Sequence, residues 1–129
     1  MQSKGFFLII FLAIFAACTT TSPTETEPAV PPANAANLEA GKKIFFTKCN
    51  SCHMVNRELT GPALKGVESR WPDKQKLYDF VRNSEAMIKK DKYSRELWLK
   101  FNQTMMNAHP ELTNAEIQNI LDYINSVSE

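Results

Sequence analysis

The tightest constraint in this chain is Cys49-Asn50-Ser51-Cys52-His53, two thiols and an imidazole within five residues. Cysteines at this spacing lie on one turn of chain, so both reach the same face of a flat ring. The adjacent His53 then points its imidazole at the ring centre. That is the geometry for attaching a haem through two thioethers and ligating its iron from one side. Three other chemistries use parts of the pattern. A redox dithiol of the thioredoxin type has the same cysteine spacing, but expects a neighbouring βαβ unit. A zinc site needs about four ligands; Cys49, Cys52, His53 and His109 supply them only if His53 turns away from its own loop. A disulfide between Cys49 and Cys52 would close a very small ring.

The rest of the sequence argues for helices. Leu38, Gly41, Ile44, Phe45 and Lys48 follow a helical stripe, with Asn37 as the expected N-cap. Residues 54–72 show no steady period and hold Gly61-Pro62, Gly66 and Trp71-Pro72, so they read as loop. Asp73 is placed to cap a helix carrying Leu77, Phe80 and Val81, and another segment runs through Tyr93, Leu97, Trp98 and Phe101. Thr113 and Glu116 form a capping box for a last helix with Ile117, Ile120, Leu121, Ile124 and Val127 on one face. No alternating strand of useful length and no repeat is visible. The expected fold is all-α, a small helical domain wrapped around one covalently bound haem. Its peptide core alone looks thin for so much loop, and a large cofactor would fill it.

The N-terminus reads as an address. Met1–Ala17 has one cation, Lys4, followed by a wholly apolar run over 6–17. That run is the length of a secretory h-region and shorter than the roughly 20 residues a spanning helix needs. It ends in Phe15-Ala16-Ala17-Cys18, which resembles a bacterial lipoprotein cleavage box with Phe15 where Leu is usual. Cys18 is thus the expected lipidation site and first mature residue. The plainer alternatives are an ordinary secretory signal with an incidental cysteine, or an uncleaved anchor. Residues 18–36 follow as a flexible tether: Thr19–Ala36 holds five Thr and four of the seven Pro, with Glu25 and Glu27 the only charges. The folded unit is expected over 37–129. The chain should be exported and lipid-anchored to a membrane, facing the periplasm or cell exterior.

Charge narrows the function. The whole chain carries a formal net charge of +1, which gives no case for nucleic-acid binding. The chain outside the leader and tether has 14 Lys and Arg, all between Lys42 and Lys100, against 12 Asp and Glu. No nucleophile–base pair of recognisable spacing occurs, and His109 is the only histidine beyond the Cys-His motif.

Residues 38–127 resemble a class I, mono-haem cytochrome c domain. The resemblance rests on Gly41-Lys42-Lys43-Ile44-Phe45 leading into the Cys49–His53 motif, on Gly61-Pro62-Ala63-Leu64, on Met105-Met106 before Leu112-Thr113, and on Ile120-Leu121-Asp122-Tyr123-Ile124. It implies haem c, one per chain, held through Cys49 and Cys52, with His53 as axial iron ligand. It implies that the Pro62 carbonyl accepts a hydrogen bond from the outer nitrogen of His53, fixing the ring. Gly41 and Phe45 would cross the last helix near Tyr123, and Arg70 and Trp71 would bond or cover a propionate.

The resemblance also calls for a sixth ligand, a soft thioether that favours the reduced iron. Met106 lies six residues before Leu112, the family spacing, and is favoured. Met105 continues the stripe of Trp98 and Phe101, a core signature, and His109 is the remaining candidate. The implied function is one-electron transfer within a membrane-associated respiratory chain, with other redox proteins as transient partners. The alternatives are a haem enzyme or gas sensor, such as a peroxidase, with a labile sixth site, and a docked haem subunit of a larger oxidoreductase.

Overall fold

The computed structural model describes residues 33–128. The expected signal over 1–17, Cys18 and the stretch 19–32 lie outside the described residues. Within them the chain is helical and contains no strand. Helix α1, Ala33–Ile44, runs straight into a π-turn, Phe45–Cys49. There follow α2 (Val67–Arg70), α3 (Lys74–Arg82), α4 (Ser84–Lys90), α5 (Lys92–Lys100) and α6 (Asn114–Ser126).

Side-chain caps set most boundaries. Asp73 Oδ1 accepts from Gln75 N at 2.8 Å and starts α3. Asn83 Oδ1 accepts from Ala86 N at 3.0 Å and starts α4. Asp91 Oδ2 accepts from Ser94 N at 3.0 Å and starts α5. The Thr113–Glu116 capping box is complete, with Glu116 Oε2 accepting from Thr113 N at 2.8 Å and Thr113 Oγ1 from Glu116 N at 3.2 Å.

Three local expectations are corrected, and one helix, α4, has no counterpart among them. Asn37 is not a cap: α1 begins at Ala33, because Ala33, Ala35 and Ala36 extend it by a turn. The 54–72 loop contains one helical turn, α2, entered through Gly66 at φ 64°. The seven residues of α4 are too few to display a period, and only Asn83 and Asp91 mark them in the sequence. Val127 leaves the α6 stripe, since the helix ends at Ser126 and Val127 is 37 % exposed.

The core is built where α1 crosses α6. A Cβ on Gly41 would lie 1.9 Å from the Asn119 carbonyl oxygen, so only glycine permits this approach. Beside it the Phe45 and Tyr123 rings sit 5.6 Å apart. Ile117, Ile120, Leu121 and Ile124 project from α6 into the same core and are buried. The three short helices turn at Asn83 and Asp91, α3 packing on α4 and α4 on α5. Trp71 locks α3 to α5, with its ring 5.2 Å from Phe80 and 4.9 Å from Tyr93. The two halves leave a cleft between them.

Candidate functional site

The cysteines are presented by the π-turn. Asn50 N–H donates to the Phe45 carbonyl at 3.0 Å, five residues back instead of four. Such a turn frees carbonyls in the preceding helix. The Thr47 hydroxyl serves them, 2.9 Å from the Lys43 oxygen and 3.1 Å from that of Ile44. The Cys49 carbonyl then accepts from both Cys52 N, at 3.1 Å, and His53 N, at 2.9 Å. This tight reversal brings both cysteines and His53 to one cleft wall.

His53 is held in one orientation and one tautomer. Its Nδ1 lies 3.0 Å from the Pro62 carbonyl oxygen, as the resemblance implies. A carbonyl can only accept, so Nδ1 carries the proton and Nε2 keeps its lone pair. Burial lowers the His53 pKa, against the opposing effect of the Pro62 hydrogen bond, and favours the neutral ring that can ligate. Gly61 supplies the space: its Cβ would fall 2.4 Å from His53 Cε1. Gly61 N–H also donates to the Cys52 carbonyl at 2.8 Å, clamping the two loops together.

Two adjoining cavities, of about 110 and 90 Å³, share Cys49, His53, Pro62, Phe80, Leu97 and Met106 as lining. Well-packed interiors hold few voids larger than a water molecule, so cavities of this size in a domain this small form a binding cleft. The first also takes in Cys52, Met105 and His109; the second is walled by Leu64, Val67, Trp71 and Ile120 and is almost wholly apolar. This donor set fits a covalently held haem: two thiols at one wall, a neutral imidazole beside them, and an apolar cavity beyond.

The sequence-derived candidates fall as follows. Met106 lines both cavities and is half-buried. Met105 is not the core residue its spacing suggests; it is 47 % exposed. The helix stops at Lys100, and Asn102 and Gln103 adopt left-handed φ of 54° and 59°, so the α5 period does not extend to Met105. His109 lines the first cavity, with Nδ1 3.7 Å from Glu111 Oε1. Trp71 is buried against the second cavity. Arg70 lines it too, while its guanidinium donates to the carbonyls of Lys65 at 3.0 Å and Ala63 at 2.6 Å, so it braces the loop. The residues missed by sequence reasoning are Gly61 as the space for His53, Thr47 as support of the π-turn, and Phe80 and Leu97 as cleft walls. The helical stripes contained Phe80 and Leu97, but a stripe does not tell core from cleft.

The competing chemistries lose ground here. Burial pushes the Cys49 thiol up to about 11, opposite to the lowered pKa of a reactive dithiol. Among the described residues no three His, Cys, Asp or Glu side chains gather as a metal-holding group, so the zinc arrangement finds no support in the geometry.

Comparison with known proteins agrees with this geometry. The family model for cytochrome c matches residues 38–128. A cytochrome c from Rhodothermus marinus is similar at 25 % identity and a TM-score of 0.64, over 83 % of this chain and 90 % of that one. An engineered cytochrome c from the same organism, bound to a carbene intermediate, is 24 % identical with a TM-score of 0.59, over the same shares. Comparison with curated protein sequences gives no match. The chain belongs to the cytochrome c family, with the class I, mono-haem fold. Haem-based electron transfer is the function that membership brings, and covalently bound haem c is the cofactor it implies.

Proposed function

We propose that this protein is a mono-haem one-electron carrier with His53 and Met106 as axial ligands, and not an enzyme. One observation carries the reading: Cys49, His53 and Met106 line the same cleft, with His53 fixed through Pro62. When bound, haem c supplies an iron that cycles between two oxidation states. The chain's own residues do the rest. Cys49 and Cys52 tether the group as thioethers, and His53 offers Nε2 while Pro62 holds its other nitrogen. Met106 offers a neutral sulfur that favours the reduced metal and raises the potential. Leu64, Val67, Trp71 and Ile120 exclude water, which limits rearrangement during transfer. Arg70 and Trp71 line the second cavity, which supports a role for them in bonding or covering a propionate, Arg70 while its guanidinium also braces the loop.

The cellular setting is proposed from the sequence. Phe15-Ala16-Ala17-Cys18 supports lipidation at Cys18 after removal of 1–17, and the Thr- and Pro-rich stretch supports a tether. A carrier held in this way searches the membrane surface for partners in a respiratory chain on the periplasmic or outer face. Carrier interfaces of this kind are small and transient.

The test is the visible spectrum of the haem-matured protein in both oxidation states, with carbon monoxide added to the reduced form. A covalent low-spin haem, a sulfur–iron charge-transfer band and no carbon monoxide response are expected. Met106→Leu should abolish the band, and Met105→Leu should leave it. A high-spin spectrum or ready carbon monoxide binding in the unaltered protein would move the assignment to an enzyme or gas sensor with an open site.

A further inference from the structure

The loop that carries Met106 presents two adjacent methionines; both line the first cavity, and only Met106 reaches the second as well. The distinction is tertiary. Ser84, the first residue of α4, is 1 % exposed, and its hydroxyl donates to the Met106 carbonyl at 2.7 Å. The same oxygen lies 3.7 Å from the Met105 sulfur. A hydroxyl has one proton, and the short contact to the carbonyl takes it. The Met105 sulfur makes only a contact beside α4, and Met105 is absent from the lining of the apolar second cavity that Met106 reaches.

The anchors on either side leave this the central one. Trp98 Nε1 donates to the Gln103 carbonyl at 2.8 Å, and His109 N donates to the Val81 carbonyl at 3.1 Å. Between them, Ser84 supplies the side-chain hydrogen bond to the Met106 backbone. Removing it would take away the carbonyl's partner on α4 and let the segment turn by one residue. Such a slip exchanges the two sulfurs at little cost in covalent geometry.

We propose that Ser84 is a positioning residue that selects Met106 over Met105 as the thioether standing where the two cavities meet, at the sixth-ligand position. The inference rests on the His53/Met106 reading above. It assigns to α4 a role in setting the identity of the sixth ligand, in addition to packing.

The test uses haem-matured protein carrying ¹³C-labelled methionine methyl groups, read by NMR in the reduced state. Met105→Leu and Met106→Leu variants assign the signals. In the unaltered protein the strongly ring-shifted methyl should belong to Met106 alone. In Ser84→Ala a second ring-shifted methyl, lost on adding Met105→Leu, should appear, and the rate of carbon monoxide binding should rise roughly tenfold as a hydrogen bond worth about that factor is lost. Ser84→Cys keeps the side-chain size with a weaker donor and should fall between the two; it also serves if Ser84→Ala does not fold. A Met106 methyl unchanged in position and in exchange in whichever variant folds would overturn the role of Ser84 while leaving the ligand assignment intact. No ring-shifted methionine in the unaltered protein would overturn both.

Discussion

A Cβ on Gly61 would lie 2.4 Å from His53 Cε1 and 2.8 Å from Nδ1, so the imidazole occupies the space that any other residue at 61 would need. The next residue, Pro62, accepts the Nδ1 hydrogen bond. One residue thus leaves room for the ring and its neighbour aligns it. Gly61→Ala should displace His53 and break that bond. The expected cost is about 1–3 kcal/mol in unfolding free energy, with a low-spin spectrum giving way to a high-spin fraction. Pro62→Ala keeps the carbonyl and should retain the low-spin spectrum. An unperturbed spectrum in Gly61→Ala would contradict the contact.

The α1–α6 crossing gives a purely structural counterpart. Gly41 meets backbone, the Asn119 carbonyl, which cannot rotate away. Gly41→Ala should therefore reach about 3 kcal/mol of destabilisation, the upper part of the overpacking range. Chemical denaturation would measure it. The spectrum of the fraction that remains folded should be normal, because Gly41 does not line the cleft.

Thr47 tests the π-turn. Thr47→Val keeps the branched shape and removes the hydroxyl shared by the Lys43 and Ile44 carbonyls. The loss should be about 1 kcal/mol, the net worth of an ordinary hydrogen bond. Amide exchange should quicken at Lys48, Cys49 and Asn50. Thr47→Ser, which restores the donor, should recover most of the effect.

Asp91 sets a pH dependence. It accepts from Lys76 Nζ at 2.7 Å and from Ser94 N and Oγ, both at 3.0 Å, and joins α3 to the start of α5. These bonds, that from Lys76 foremost, hold its carboxyl down at about 2, from an ordinary 3.8. A depressed carboxyl stabilises the fold above its unfolded pKa, and the contribution disappears as pH falls through the folded value. Asp91→Asn keeps a capping side chain but loses the charge. Its melting temperature should be below that of the unaltered protein at neutral pH. The gap should persist down to about pH 4 and close as pH falls to about 2. A gap independent of pH over that range would show that Lys76 contributes nothing through charge.

The sequence determined this protein's chemistry because that chemistry is local. Cys49, Cys52 and His53 lie within one reversal of the chain, so their spacing alone brings them to one cleft wall. Thr113 and Glu116, and Asp73, mark helix starts by bonds to amides two or three residues away, and these were equally legible. What the sequence left open depends on groups far apart along the chain. Met105 and Met106 differ by one position, and the period of α5 pointed to the wrong member as core, because left-handed Asn102 and Gln103 break that period. The exposure of one and the partial burial of the other follow from where α4 and α5 place the loop. Gly61 looks like a turn residue until the His53 ring is seen filling its Cβ position, and Gly41 like a weak helix residue until Asn119 is seen against it. Phe80 and Leu97 read as core, yet they wall the cleft, because a hydrophobic stripe records burial and not what the residue is buried against.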